Sequence, residues 1–444
     1  MVASRSPSSS SPSSSSASPS SPSSQATQHQ LIPISSSSSS SNNNNNNNTR
    51  RPRSTLLPLG CDADSNADAI ANALLDTSVR DTTVLITGVG VHNKRPNICW
   101  EVARILAKHG VTVCITSRTA KKAKALARSL QLALDKEDSE TPSENLRPRG
   151  RIIGISKALD LSSADSVYDF VDEWDKHGLE CVDRLILGAG LGLVPGRQRT
   201  TDRIDANFAV NHLGHFLLTN LMLDALRASK AFRVVVLGSE MHRGIPGTDP
   251  IELDLEDINC EEYTDDWEAH PPCGQAAYMS YARSKLCNVL FARQFAKNLT
   301  NLRKWAPWKG TSSVVVVDPG LTVRTGLTRH VPVTPGSKAG ERNRAILTRT
   351  YSRKNNPRAR SVRQAAGDVI LAAFAPTLQP SSVYEEMVKE GPLPRSGKNE
   401  DVQSGGTPFW YLRERDVSDP SEAALDDEAA QDLWEFSCDL VGLK

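Results

Sequence analysis

No run of about 18 apolar residues occurs in the 444-residue chain, which excludes a spanning helix of ordinary length. The N-terminus lacks the apolar h-region of a secretory signal, so none is expected. The eight cysteines (Cys61, Cys99, Cys114, Cys181, Cys260, Cys273, Cys287 and Cys438) form no C-x-x-C pair and no metal-ligand spacing. Several lie inside apolar runs, and they read as reduced core thiols of an intracellular, cytoplasmic protein with no metal. An excess of charge is also lacking: 52 Lys+Arg against 51 Asp+Glu gives +1, which argues against a nucleic-acid binder with its need for many phosphate contacts.

Acid is absent from residues 1–61, whose only charges are Arg5, Arg50, Arg51 and Arg53. This stretch is nearly all Ser, Pro and Asn, with homopolymeric runs at Ser35–Ser41 and Asn42–Asn48, and has too little apolar surface to offset the entropy of ordering it. A disordered leader is therefore expected over 1–80, ahead of one domain over 81–444. An acid-free, Ser-rich leader is also compatible with an organelle transit peptide, although the amphipathic Arg spacing is missing.

What the rest contains is a rhythm. Short β-branched runs at Thr83–Thr87, Val111–Thr116, Arg151–Ile155, Arg184–Leu187, Arg233–Leu237 and Ser313–Val317 read as buried strands. Between them, apolar residues at i, i+3, i+4, i+7 predict helices over Ile98–Lys108, Ala120–Leu134, Ser163–Lys176, Ala206–Arg227 and Tyr278–Asn298, with a last helix at Glu422–Val441. Alternating strands and helices predict an α/β fold, a doubly wound parallel sheet of the Rossmann type. Polar insertions at Glu240–Gln275 and Thr322–Arg360 fall where loops surround a ligand crevice, and are expected to cover substrate.

The first strand runs into Thr87-Gly88-Val89-Gly90 and, after a longer loop than usual, into a helix beginning near Asn97 and Ile98. A Gly-rich turn feeding a helix N-terminus suits a dinucleotide pyrophosphate, since backbone N–H groups and the positive helix end face it. The second strand ends in Ser117-Arg118-Thr119 where an acidic residue would bind the ribose hydroxyls of NAD. A guanidinium there, with Lys94 and Arg95 nearby in sequence, favours NADP(H) over NAD(H).

Tyr281 and Lys285 stand at i and i+4 on one predicted helix, and so point to the same side. A fixed positive charge would lower the phenol pKa from about 10 and allow proton exchange near neutrality. Ser239 follows a buried strand, at the sheet's carboxyl edge, and Asn211 opens an otherwise apolar helix where its amide could hold a water.

These residues, with Asp160-Leu161-Ser162, Gly188-Ala189-Gly190, the VNHLGHFLLTNLML run and Asp318-Pro319-Gly320, resemble the short-chain dehydrogenase/reductase family over roughly 82–444. The likeness is to its retinol-dehydrogenase-like branch, which is also similar to light-dependent protochlorophyllide reductases. The resemblance implies Tyr281 as general acid/base, Lys285 as its pKa modulator and ribose ligand, Ser239 orienting the substrate oxygen and Asn211 supporting a relay water. It implies Asp160 and Leu161 beside the adenine, Gly188, Ala189 and Gly190 along the cofactor, and Pro319, Gly320 and Thr325 near the nicotinamide amide. Two departures stand out: Asn97 and Cys99 replace loop glycines, and Gly188 replaces an Asn. The extended loop is like that of enoyl reductases, but those space Tyr and Lys by six residues.

The implied activity is NADP(H)-dependent interconversion of a carbonyl and an alcohol on an apolar substrate of retinoid, steroid, polyketide or lipid type. A nucleotide-sensing scaffold that has lost turnover, and a protochlorophyllide-reductase-like enzyme, are the alternatives. Peripheral membrane contact through apolar C-terminal faces and a homodimer through the long helices are further expectations.

Overall fold

The computed structural model describes residues 56–140, 149–194, 197–244, 249–266, 273–323, 325–352, 354–379 and 406–443. Most of the leader, including its Ser and Asn tracts, lies outside them.

All six expected strands are present: β1 Thr83–Ile86, β4 Thr112–Ile115, β5 Ile152–Gly154, β6 Arg184–Leu187, β7 Ala231–Leu237 and β8 Thr311–Asp318. A small antiparallel pair, β2 Val91–His92 and β3 Arg95–Pro96, interrupts the first turn. Two more strands, β9 Phe409–Arg413 and β10 Asp416–Val417, extend the sheet. The order is β5-β4-β1-β6-β7-β8-β9-β10, parallel throughout except for β10. From β1 the chain winds first toward β5 and then, from β6 onward, the other way, so the topological switch point lies between β1 and β6. Ile86 is in register with Ile186, which brings the turn after β1 beside Gly188.

The strands are apolar on both faces because helices cover both. On one face lie α2 Ile98–Lys108, α3 Ala120–Glu140 and α9 Val362–Phe374, with α1 Ala67–Leu74 packed outside α9. The other carries α4 Ala164–Asp172, α5 Gly214–Leu221, α6 Leu223–Arg227, α7 Gln275–Trp305 and the C-terminal helix α10 Asp427–Val441. A further helix, α8 Lys338–Tyr351, occupies the second insertion, capped by the Ser337 hydroxyl.

Two arginines in the first half of their strands have a packing reason. Arg233 is fully buried and donates to the Ala372 and Ala375 carbonyls at 2.7 and 3.0 Å, while Arg184 donates to the Ala373 carbonyl at 2.7 Å. Both guanidiniums thus satisfy the last turn of α9 and oppose its negative end.

Two expectations need correction. Residues 67–74, assigned to the leader over 1–80, form α1, with Ala67, Ile70 and Ala71 buried against α9. The helix expected over 206–227 is broken into a π-helical turn, Phe208–Leu213, followed by α5 and α6. Its second segment starts at Gly214 because a Cβ there would lie 2.2 Å from the Leu161 carbonyl oxygen, so only glycine allows this close approach. The insertion after β7 is fastened to α7 in its described part. Arg283 on α7 donates to the Asp257 carbonyl at 2.9 Å and to Asp254 at 3.2 Å, and its guanidinium stacks on Tyr263.

Candidate active site

The turn after β1 is held by one hydroxyl. Thr87 Oγ1 accepts from the Gly188 and Ala189 N–H groups at 2.9 and 3.0 Å, so its own proton goes to His215 Nε2 at 2.8 Å. His215 then donates from Nδ1 to the Asn211 carbonyl at 3.1 Å, and burial depresses its pKa to about 4, keeping the ring neutral. Gly88 leaves β1 with φ +78°, where a Cβ would fall 2.5 Å from the Ala189 backbone. That requirement for glycine keeps the crevice floor flat where a pyrophosphate would lie.

The longer loop is a hairpin. Asn93 and Lys94 both have positive φ, 48° and 61°, as a two-residue type I′ connection between β2 and β3 demands. Asn97 closes it: the side chain accepts from Trp100 N as the helix N-cap and from Gly90 N, and donates to the Gly88 carbonyl at 2.7 Å. Cys99 in the first turn of α2 is explained by Gly188, since a Cβ on Gly188 would meet the Cys99 sulfur at 2.2 Å. Side-chain volume has moved from one position to the other. Ile98 stands with Cys99 in that first turn, at the positive end of the helix.

Arg118 is exposed at the end of β4 and has no carboxylate partner among the described residues. Asp160 commits one carboxylate oxygen to Ser162 N–H and hydroxyl at 3.0 and 2.7 Å, in the turn before α4, with Leu161 pressed against Gly214. Gly190 lies 3.1 Å, by its would-be Cβ, from Asn211 Oδ1. After β8, Gly320 takes φ +70° and donates to Asp318 at 3.0 Å, while the preceding Pro319 carbonyl accepts from Thr322. Thr325 accepts from Leu327 N at 3.3 Å within its own turn. The glycine cradle, the capped helix end and the unpaired Arg118 fit a dinucleotide.

The Ser239 hydroxyl lies close enough to the Tyr281 phenol to favour its ionised form, although the two stand far apart in sequence. Lys285, buried one turn along α7, donates to the Leu237 carbonyl at 2.8 Å at the end of β7, two residues before Ser239. Its ammonium lies 5.8 Å from the Tyr281 ring centre. Burial pushes Lys285 down to about 8 and pushes Tyr281 well above its ordinary value. Tyr281 is thus moved upward rather than downward as expected from a charged neighbour, because desolvation disfavours the phenolate.

The Asn211 side chain is bound to protein partners on both sides of the crevice wall. Its Oδ1 accepts from Leu191 N at 2.7 Å, and its two amide hydrogens go to the Leu191 carbonyl and to Ser284 Oγ at 3.1 and 2.9 Å. Both amide hydrogens are thus committed to protein acceptors. Ser284 passes the connection on to the Tyr281 carbonyl at 2.7 Å, so Asn211 positions the crevice wall and the catalytic helix together. One turn back, Ser280 binds Asp205 and Asn207 in the same way.

Sequence reasoning missed Tyr278 and Tyr351. The Tyr278 hydroxyl is buried without a hydrogen-bond partner among the described residues, one turn before Tyr281, and Tyr351, at the end of α8, lies near enough to act on Tyr281 electrostatically. The i, i+3 spacing of Tyr278 and Tyr281 was the available signal.

Residues 82–246 match the short chain dehydrogenase family. The chain is 34% identical to the WW domain-containing oxidoreductase of Drosophila melanogaster over 56% of its own length and 51% of that protein. It is 32% identical to retinol dehydrogenase 14 of Homo sapiens over 56% of this chain and 64% of that one, and 28% identical to retinol dehydrogenase 12 of Bos taurus over 83% and 89%. The chain spans less than two thirds of the length of the first two. The family match begins at β1 and carries the glycine turn to the switch point of a doubly wound sheet, and retinol dehydrogenases recur among the relatives: residues 82–246 match the short chain dehydrogenase family, and the chain is similar to retinol dehydrogenases.

Proposed function

We propose that this protein is an NADP(H)-dependent oxidoreductase that interconverts a carbonyl and an alcohol on a largely apolar substrate. The observation that carries the reading is the Ser239–Tyr281 pair at the carboxyl edge of the sheet, with Tyr281 and Lys285 both buried on one helix. When bound, a nicotinamide cofactor supplies the hydride. Ser239 and Tyr281 then hold the substrate oxygen between two hydroxyls, and Tyr281 exchanges the proton on that oxygen. Because burial keeps Tyr281 protonated, the resting site is prepared to give a proton, which suits carbonyl reduction. Lys285, still charged at neutral pH, stabilises the phenolate left behind.

Arg118, without a carboxylate partner among the described residues and with no acid at the end of β4, supports NADP over NAD. The relatives named retinol dehydrogenases support an apolar alcohol or aldehyde, and the paired departures Cys99 and Gly188 support a working rather than a decayed loop. The test is consumption of NADPH and of NADH with a panel of retinoid, steroid and medium-chain aldehydes and ketones, run in the dark. Turnover with NADPH is expected; binding without turnover across the panel would favour the sensing scaffold, and turnover only under illumination the protochlorophyllide-type reaction.

A further inference from the structure

The turn that carries Ser239 leans on chain from the far end of the sequence. Residues Glu240–Arg243 form a single 3₁₀ turn directly after β7, and the Ser239 hydroxyl caps it. Glu240 pairs with Arg413 of β9 at 2.6 Å, and Arg243 donates to the Asp419 carbonyl while its guanidinium lies over the Tyr411 ring. At the centre of the turn is His242, fully buried, its ring 5.4 Å from that of Tyr411.

The hydrogen bonds of His242 fix which nitrogen carries its proton. Nε2 meets the Ser421 N–H at 3.1 Å, and because a backbone N–H can only donate, Nε2 is bare. The single ring proton is therefore on Nδ1, which donates to the Ser239 carbonyl at 2.7 Å. The backbone N–H of His242 reaches the same oxygen at 3.2 Å. Burial agrees with this, depressing the ring's pKa to about 4 and keeping it neutral. The Ser239 backbone is thus clamped through one imidazole to the segment after β10, while its hydroxyl lies close to the Tyr281 phenol.

We infer that His242 is a positioning residue for Ser239: its Nδ1–H sets where the serine backbone stands, and with it the hydroxyl that receives the substrate oxygen, and its Nε2 ties that setting to Ser421. The inference rests on the role proposed above for Ser239. It makes β9 and the residues just beyond β10 part of the catalytic geometry, although they lie far beyond residues 82–246 in sequence.

Steady-state NADPH consumption by the full chain is measured on whichever carbonyl of the panel above wild type reduces fastest. His242→Gln puts an amide where Nε2 stood, keeping an acceptor for Ser421 but no donor at the Nδ1 position. Its kcat is expected to fall by about 10–10²-fold, the effect of a small misplacement of a reacting group, with KM for NADPH unchanged. His242→Asn puts a donor back at the Nδ1 position and should recover kcat to within about threefold of wild type. In a Ser239→Ala background His242→Gln should lower kcat no further, since the group it positions is gone. Equal losses in His242→Asn and His242→Gln, or losses that multiply in the double variant, overturn the inference while the reading of the site stands. A Ser239→Ala chain as fast as wild type, or a wild-type chain that turns over nothing on the panel, overturns both. Nitrogen-15 NMR of the wild-type histidines does not depend on turnover. A neutral ring protonated on Nδ1 is expected for His242 from about pH 5 to 9, identified by its absence from the variants. A ring carrying its proton on Nε2, or charged at about pH 6, refutes the clamp.

Discussion

Lys285 carries a charge that folding makes costly. Its ammonium is buried, donates to the Leu237 carbonyl at 2.8 Å, and has its pKa pushed from 10.5 to about 8 by desolvation. At about 1.36 kcal/mol per pKa unit, the charged form destabilises the folded state by ~3 kcal/mol. The folded protein releases this proton before the unfolded chain does, so the burden is fully present below pH 8 and fades as pH rises toward 10.5. Lys285→Met keeps the aliphatic stem and removes the charge. It should stabilise the chain by ~1–3 kcal/mol at pH 7, the lower figure allowing for the lost charge-assisted hydrogen bond. The Leu237 carbonyl keeps Asn288 as a donor at 3.4 Å. Thermal unfolding of both proteins in parallel from pH 7 to 9.5 measures the difference, in which groups common to the two cancel. Melting should rise by a few degrees at pH 7 and the gap should shrink toward pH 9.5, while turnover is lost. A variant that melts below wild type at pH 7, or a gap that stays constant with pH, would refute the reasoning.

Tyr281→Phe should lower turnover by about 10²–10⁴-fold, the usual contribution of a positioned acid, with 2′,5′-ADP binding unaltered in calorimetry. Reduction should run evenly below pH 8 and fall above it as Lys285 loses its proton; steady-state rates that continue to rise beyond pH 9 would remove the lysine charge from the mechanism. Gly188→Ala drives a methyl into the Cys99 sulfur and should cost about 1–3 kcal/mol, recovered in large part by adding Cys99→Ala; additive losses in a denaturant double-mutant cycle would contradict the packing argument. Asp368→Asn leaves the buried Arg360 and Arg415 without their shared carboxylate and should cost about 3–5 kcal/mol by urea unfolding, unlike exposed pairs such as Lys136–Glu140.

The six central strands were legible because each is a short β-branched run that the sheet buries on both faces. What escaped detection has a common cause in long-range covering. In α9, Gln364–Phe374 are buried all round, because the sheet lies on one side and α1 on another, so no amphipathic period exists to be read. Its Asp368 looks like a surface residue until Arg360 and Arg415 are brought to it, and Arg415 in turn donates to the Asp62 and Ser65 carbonyls, tying residues before α1 to this cluster. Strand β9 escaped because five residues of FWYLR carry no alternation and its pairing with β8 joins segments far apart in sequence. Within the site, the Tyr281–Lys285 spacing needed only helix geometry. The pKa of Tyr281 did not follow from that spacing, because charge proximity is visible in a sequence while the depth of burial that overrides it is not.

The departures from the family pattern also read differently in three dimensions. Taken singly, Asn97, Cys99 and Gly188 are losses: two glycines gone from a phosphate loop and an amide gone from a sheet edge. In the fold each has a partner. Asn97 caps α2 and fastens Gly88 and Gly90, work that a glycine cannot do and that a hairpin-bearing loop requires. Cys99 occupies space that Gly188 leaves, so neither change would be tolerated alone: a larger residue at 188 clashes, and a smaller one at 99 opens a cavity beside the crevice floor. Thr87 meanwhile holds both sides of the crevice through Gly188, Ala189 and His215, and Asn211 and Ser284 hold the wall to the Tyr281 helix. A loop decaying after loss of function would accumulate uncompensated holes and unpaired polar groups. This one is rebuilt pair by pair around the same crevice, which favours a protein that still binds its cofactor and uses it.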